Sequence, residues 1–195
     1  MKCYHGSVKM GLTELKPFVS EFTNISEPVV YLTTNKQLAL HYIWDMNRIG
    51  VKMPMLNIRP DGTLVFQEMF SGALEYFYKG VAGCIYHCEG DYEISKATKV
   101  PFCSISKTPV KVVGCEHIRD VYEAIMSYTE AGTFIYEKYE TLPEWRIDVI
   151  RGQIVRFIKR NRLLEDTDCP SYRFVQQKFP KYLKEAEILN AHKLL

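Results

Sequence analysis

Residues 29–44 read Val29-Val30-Tyr31-Leu32-Thr33-Thr34-Asn35-Lys36-Gln37-Leu38-Ala39-Leu40-His41-Tyr42-Ile43-Trp44. They hold a strand, a cap and a helix in quick succession. Val29 to Leu32 are β-branched, aromatic or leucine, the composition of a buried strand. Thr34 or Asn35 offers a side-chain oxygen to the first free N–H groups of a helix. Leu38, Ala39, Tyr42 and Ile43 then recur at helical spacing through Trp44.

Working outward, residues 2–5 form a short strand, and Gly6 to Pro17 reads as a loop or a first helical turn. Downstream, Pro60-Asp61-Gly62 separates two apolar-rich runs and predicts a hairpin with turn chemistry at its tip. A short helix follows over Ala73 to Lys79, then strands over Gly83 to Cys88 and Val110 to Val113. From Glu116 the pattern becomes helical, with Ile118, Val121, Tyr122, Ile125 and Met126 on one face and Gly132 as the stop. Pro143 opens another helix, and the chain ends helically after Pro180. Strands before residue 114 and helices after it predict an α+β architecture, with a domain over 1–115 and a helical extension over 116–195 packed on it.

Hydrophobic residues make up 47% and charged residues 25%, the balance of a folded globular chain. The net charge of +2 is too small to imply a nucleic-acid partner for the whole molecule. The charge is nonetheless uneven, because residues 151–195 hold 10 Lys and Arg against 5 Asp and Glu. That basic end is where nucleic-acid contact would fall. No charged segment followed by an apolar run opens the chain, and no apolar run approaches membrane-spanning length, so a cytoplasmic protein with no membrane partner is expected. The six cysteines are then free thiols acting as small buried hydrophobes.

Cys84, His87 and Cys88 lie close in sequence, but a strand would put His87 on the face opposite the two cysteines. No metal site is therefore expected. No cysteine is singled out as the partner of a histidine for nucleophilic catalysis. No Gly-Lys-Ser/Thr phosphate loop and no G-x-G-x-x-G follows any strand, which leaves a dinucleotide site of the Rossmann type unsupported.

The N-terminal Tyr4-His5-Gly6-Ser7, then Gly11-Leu12, then Tyr31-Leu32-Thr33 and a helix carrying Ala39 and Tyr42, resembles the NAD-binding half of ADP-ribosyltransferases. The likeness is to the poly(ADP-ribose) polymerase and diphtheria-toxin branch, whose three elements are histidine, tyrosine and glutamate. The resemblance implies two small β-sheets forming a cleft, with NAD as substrate and ADP-ribose passed to a protein or nucleic-acid acceptor. It implies that His5 bonds a ribose of NAD, that the Gly6 backbone takes the nicotinamide amide and that Ser7 completes the His-Gly-Ser motif. Tyr42 would stack on the nicotinamide and Tyr31 would pack on its other side. His5 and Tyr42 are the implied catalytic pair. Lys107 or Thr108 stands where the family glutamate is expected, and Glu116 and Glu68 are the carboxylates that could replace it. Two further readings follow: a protein on this fold that binds NAD, ADP-ribose or a nucleic-acid end without turnover, and a relative of the RNA 2′-phosphotransferases.

Overall fold

The computed structural model describes residues 1–20, 25–45, 56–90, 92 and 94–191. It is an α+β structure of nine strands and six helices among those residues. They group into two compact units. One comprises Met1–Asp45, Leu56–Phe66 and Leu74–Tyr136, and the other comprises Gln67–Ala73 and the chain from Glu137 onward.

The first unit is built on a six-stranded antiparallel sheet. Its strands are β1 (Lys2–Ser7), β2 (Glu14–Leu15), β3 (Val30–Thr33), β6 (Gly83–Glu89), β7 (Cys103–Ser106) and β8 (Val110–Ile118), in the spatial order β2-β8-β6-β1-β3-β7. β1 is central and pairs with β6 along its whole length, from Lys2 opposite Glu89 to Ser7 opposite Cys84. Alternation along the strands sends Cys3, Val30, Leu32, Cys84, Tyr86, Cys88 and Val110 to one face, where they join Leu15 in a buried cluster. Burial there raises the Cys88 thiol to about 11, with Cys3 beside it as the lesser cause. Such thiols are packing groups.

The opposite face carries helix α1 (Lys36–His41). Asn35 is its cap, its side chain accepting from the Leu38 N–H at 3.0 Å. The helix lies so close to β1 that a Cβ on Gly6 would run into the carbonyl oxygen of Ala39. Gly83 on β6 makes the same allowance for Ile43 and the Ser7 carbonyl. On its other side α1 presents His41 to two aromatic rings, stacking on Phe134 at 5.1 Å and on Phe66 at 5.9 Å. Phe66 and Phe134 belong to a second sheet of three strands, β4 (Leu56–Ile58), β5 (Leu64–Gln67) and β9 (Phe134–Glu137), in the order β4-β5-β9. Helix α1 is thus held between the two sheets.

The hairpin between β4 and β5 forms where the sequence places it. Asp61 accepts from the Thr63 N–H, and Gly62 takes a positive φ of 89°. Helix α2 (Ala73–Tyr78) likewise matches its expected span to within a residue.

Four readings are corrected. The first strand continues through Ser7, so His5 and Gly6 lie within it, because β6 supplies ladder partners as far as Cys84. Glu14–Leu15 is a strand rather than a loop or helical turn, since β8 offers it an edge. β8 runs on to Ile118, so the segment from Glu116 is strand until helix α3 (Val121–Glu130), capped by Asp120, begins. Here ladder pairing with β6 overrides a helical periodicity. Finally, Phe134–Glu137 is a strand within a stretch that otherwise reads as helix.

The second unit is largely helical, with α4 (Glu144–Arg160), α5 (Pro170–Lys178) and α6 (Pro180–Ala191). Its core includes Ile150, Ile154, Ile158, Val175 and Leu183, with Phe70, Phe174 and Phe179 meeting edge to face. Arg151 on α4 donates through Nε and an Nη to the Glu185 carboxylate on α6 at 2.7 and 2.8 Å, and Arg162 pairs with Glu165. Part of the basic charge is therefore already paired. All six cysteines are free thiols, but Cys115 is exposed and Cys169 caps α5. No helix among the described residues is long and apolar enough to cross a membrane.

Two stability measurements follow. Gly6→Ala places a methyl against backbone rather than a yielding side chain and is expected to cost about 1–3 kcal/mol in urea unfolding. Gly152→Ala, whose methyl would meet only the Arg156 guanidinium inside α4, is expected to stabilise by about 0.5–1 kcal/mol. A Gly6→Ala protein as stable as the parent would contradict the close approach.

Burial pushes the His41 pKa down to about 3. As pH falls below the ordinary histidine value near 6.5, the unfolded chain takes up a proton that the folded chain refuses. His41 therefore removes stability at about 1.4 kcal/mol per pH unit between those two values. His41→Phe is expected to flatten the dependence of the urea midpoint on pH over that window, and equal slopes in the two proteins would contradict the assignment.

Candidate functional site

β1 and β3 are registered through a single pair, Tyr4 opposite Thr33. Beyond that pair the His5 side chain spans the two strands, and Nδ1 lies 2.8 Å from the Tyr31 carbonyl oxygen. A carbonyl can only accept, so Nδ1 carries the proton and the neutral ring presents Nε2 as an acceptor. Burial pushes the His5 pKa below its usual value, against a smaller upward pull from the Tyr31 bond. The ring therefore stays neutral at physiological pH, and its Nε2 is suited to a hydroxyl donor.

Gly6 follows in the same strand. The Ala39 oxygen above it also accepts from the Tyr42 N–H at 3.1 Å. One carbonyl thus ties the floor of the site to the residue that ends α1. The helix stops at His41, short of the expected Trp44, and Tyr42 is its C-cap.

The Tyr42 hydroxyl is hydrogen-bonded to Cys103 on β7, and burial of that end raises its pKa strongly. The residue as a whole is still 39% exposed. An anchored hydroxyl with an accessible ring is a platform held in one orientation. Cys103 stands opposite Thr33, and alternation puts Tyr31 on the same side of β3 as Thr33. Both tyrosines therefore lie on the α1 side of the sheet. The Tyr31 ring meets Phe18 edge to face at 5.9 Å. Ser7 is half-buried at the end of β1, and its Oγ accepts from the Lys9 N–H at 3.1 Å.

Comparison with protein-family models, with curated proteins and with solved structures finds no match to this chain.

The His5 ring reaches the backbone carbonyl of Tyr31, and Gly6 lies under Ala39, whose oxygen accepts from Tyr42, but alternation sends the His5 and Ser7 side chains to the Cys3 face of the sheet, opposite the face that carries Tyr31 and Tyr42. The turn between β7 and β8 contributes no carboxylate of its own. Lys107 in that turn pairs with Glu27 at 2.9 Å, and Thr108 is hydrogen-bonded to Ser106. β7, which adjoins the Tyr31 strand, has Cys103, Ser104, Ile105 and Ser106. Of the two substitute carboxylates, Glu68 belongs to the second unit, where it is buried and accepts from the Tyr139 N–H at 3.1 Å. Glu116 is in the first unit, opposite Ile85, which is in turn opposite Gly6. It therefore shares the α1 face with Gly6, two strands or about 10 Å away, and pairs with Lys36 of α1.

Cys84 and Cys88 are buried on the face away from α1, and pleating turns His87 to the α1 side, where its ring meets Tyr4 edge to face at 5.4 Å. A shallow cavity of about 490 Å³ opens elsewhere, lined by Tyr92, Ile94, Ser95 and residues 105–108, and includes none of the five candidate residues.

The His5 assignment can be read directly. Two-bond ¹⁵N–¹H spectra at neutral pH are expected to show a pyrrole-type Nδ1 and a pyridine-type Nε2. A charged ring there, or the Nε2–H tautomer, would contradict the geometry.

Proposed function

We propose that the first unit is an ADP-ribosyltransferase-like domain that binds NAD through His5, Gly6, Ser7, Tyr31 and Tyr42. The observation that carries this reading is the linkage of the site. His5 is fixed as a hydroxyl acceptor by the Tyr31 carbonyl, and Gly6 is joined to Tyr42 by the Ala39 carbonyl. Each group suits one part of the dinucleotide. Nε2 of a neutral imidazole accepts from a ribose hydroxyl. A glycine backbone permits close approach of a flat amide. The anchored Tyr42 ring offers its face to a cationic nicotinamide.

The site supports binding better than transfer. Loss of nicotinamide leaves an oxocarbenium-like ribose that needs a nearby negative charge. The β7–β8 turn offers Lys107 instead, already paired with Glu27. A second reading, active ADP-ribosyl transfer to a protein or nucleic-acid acceptor, is favoured by Glu116, the carboxylate that shares the Gly6 face. In that reading Glu116 leaves Lys36 and turns to the ribose.

Calorimetric titration with NAD, coupled to an assay for released nicotinamide, separates the two. Binding without release is expected, with His5→Ala and Tyr42→Ala each weakening affinity about tenfold or more, which is about 1.4 kcal/mol. Release that depends on Glu116 would establish transfer. No heat at millimolar NAD would sink both readings.

A further inference from the structure

We propose that Cys84, Cys115 and His117 bind a zinc(II) ion on the face of the six-stranded sheet away from α1. The proposal does not rest on the NAD reading, since none of the three donors belongs to that site, although its Ser7 neighbours Cys84. Cys115 and His117 are two apart on β8 and so project to the same face. Cys84 on the adjoining β6 is directly opposite His117. The ladder thus brings Cys84 to two donors that lie more than thirty positions further along the sequence.

The donor atoms are already near coordination spacing. One atom from each residue lies within 4.8 Å of the other two. Cys84 Sγ is 3.5 Å from His117 Nδ1, and Cys115 Sγ is 3.7 Å from Nε2 of the same ring. Zinc–sulfur bonds of about 2.3 Å and zinc–nitrogen bonds of about 2.0–2.1 Å put tetrahedral donors about 3.6 Å apart. The two sulfurs face different nitrogens of the His117 ring, so the exposed ring must turn until one nitrogen faces both and completes three corners of a tetrahedron.

The donor set chooses the metal. Two thiolates and an imidazole are soft to borderline ligands, suited to zinc and poorly matched to magnesium or calcium. Binding releases one proton from each thiol to solvent, and the two thiolates neutralise the dication, so affinity rises with pH. Cys84 is fully buried, whereas Cys115 and His117 are exposed. The fourth corner therefore faces solvent and is open to water or a ligand atom, the arrangement of zinc sites that do chemistry rather than staple a fold. Ser7, opposite Cys84 on the other side of β6, is its neighbour on that face.

Cobalt(II) serves as the coloured probe for zinc(II), titrated into reduced full-length protein. One equivalent is expected to give a thiolate-to-cobalt charge-transfer band that one equivalent of zinc bleaches. Cys115→Ser and His117→Ala, both at exposed positions, are each expected to weaken binding at least about tenfold, as much as losing an outer-shell partner costs. Cys169→Ser should leave it unchanged. As a readout that needs no variant, zinc should slow alkylation of Cys115 and leave Cys169 unaffected. Absence of the band at stoichiometric cobalt, its survival in both ligand variants, or Cys115 alkylation indifferent to zinc would each overturn the site.

Discussion

The contact on which the first unit depends is the one between Gly6 and the carbonyl of Ala39. A helix can approach a strand this closely only where the strand has no side chain. The approach places α1 against the central strand of one sheet and His41 against Phe66 and Phe134 of the other. The same Ala39 oxygen takes the Tyr42 N–H at the end of α1.

A second constraint acts across the β1–β3 gap. After Tyr4 and Thr33 the registered pairing ends, and the His5 imidazole reaches the Tyr31 carbonyl in its place. A buried carbonyl needs a donor, and this one obtains it from a side chain. The consequence is chemical as well as structural, since satisfying Tyr31 commits His5 to the tautomer that leaves Nε2 as an acceptor. His41 shows the opposite outcome. Its Nδ1 lies 3.2 Å from the Tyr78 hydroxyl, and its Nε2 is buried without a hydrogen-bond partner. One histidine keeps a ring nitrogen free to accept, and the other is a core ring whose neutrality is enforced by burial.

Much of this was legible in residues 29–44, where strand, cap and helix follow from β-branching, an Asn35 side chain and helical spacing. The hairpin at Pro60-Asp61-Gly62 was legible for the same reason, that turn chemistry is local. What could not be read is what depends on a distant partner. Glu14–Leu15 and Glu116–Ile118 are strands because β8 and β6 offer them edges, and the helical spacing of Ile118, Val121 and Tyr122 pointed the other way. The Cys84, Cys115 and His117 cluster was hidden because sequence proximity favoured Cys84, His87 and Cys88, and strand pleating separates that trio. Glu116 could not be ranked above Glu68 until strand register put it in one row with Ile85 and Gly6.

The proposed NAD site is centred on Gly6, Tyr31 and Tyr42 on the α1 face, and His5 and Ser7 project from the Gly6 strand to the other face. Mapping backbone amide and aromatic chemical shifts during titration with NAD tests this most directly. The largest changes are expected on Gly6, Ser7, Tyr31 and Tyr42, with the His5 Nε2 resonance moving as it accepts a hydroxyl. Changes confined to the cavity around Tyr92, Ile105 and Thr108, or none at saturating NAD, would contradict it.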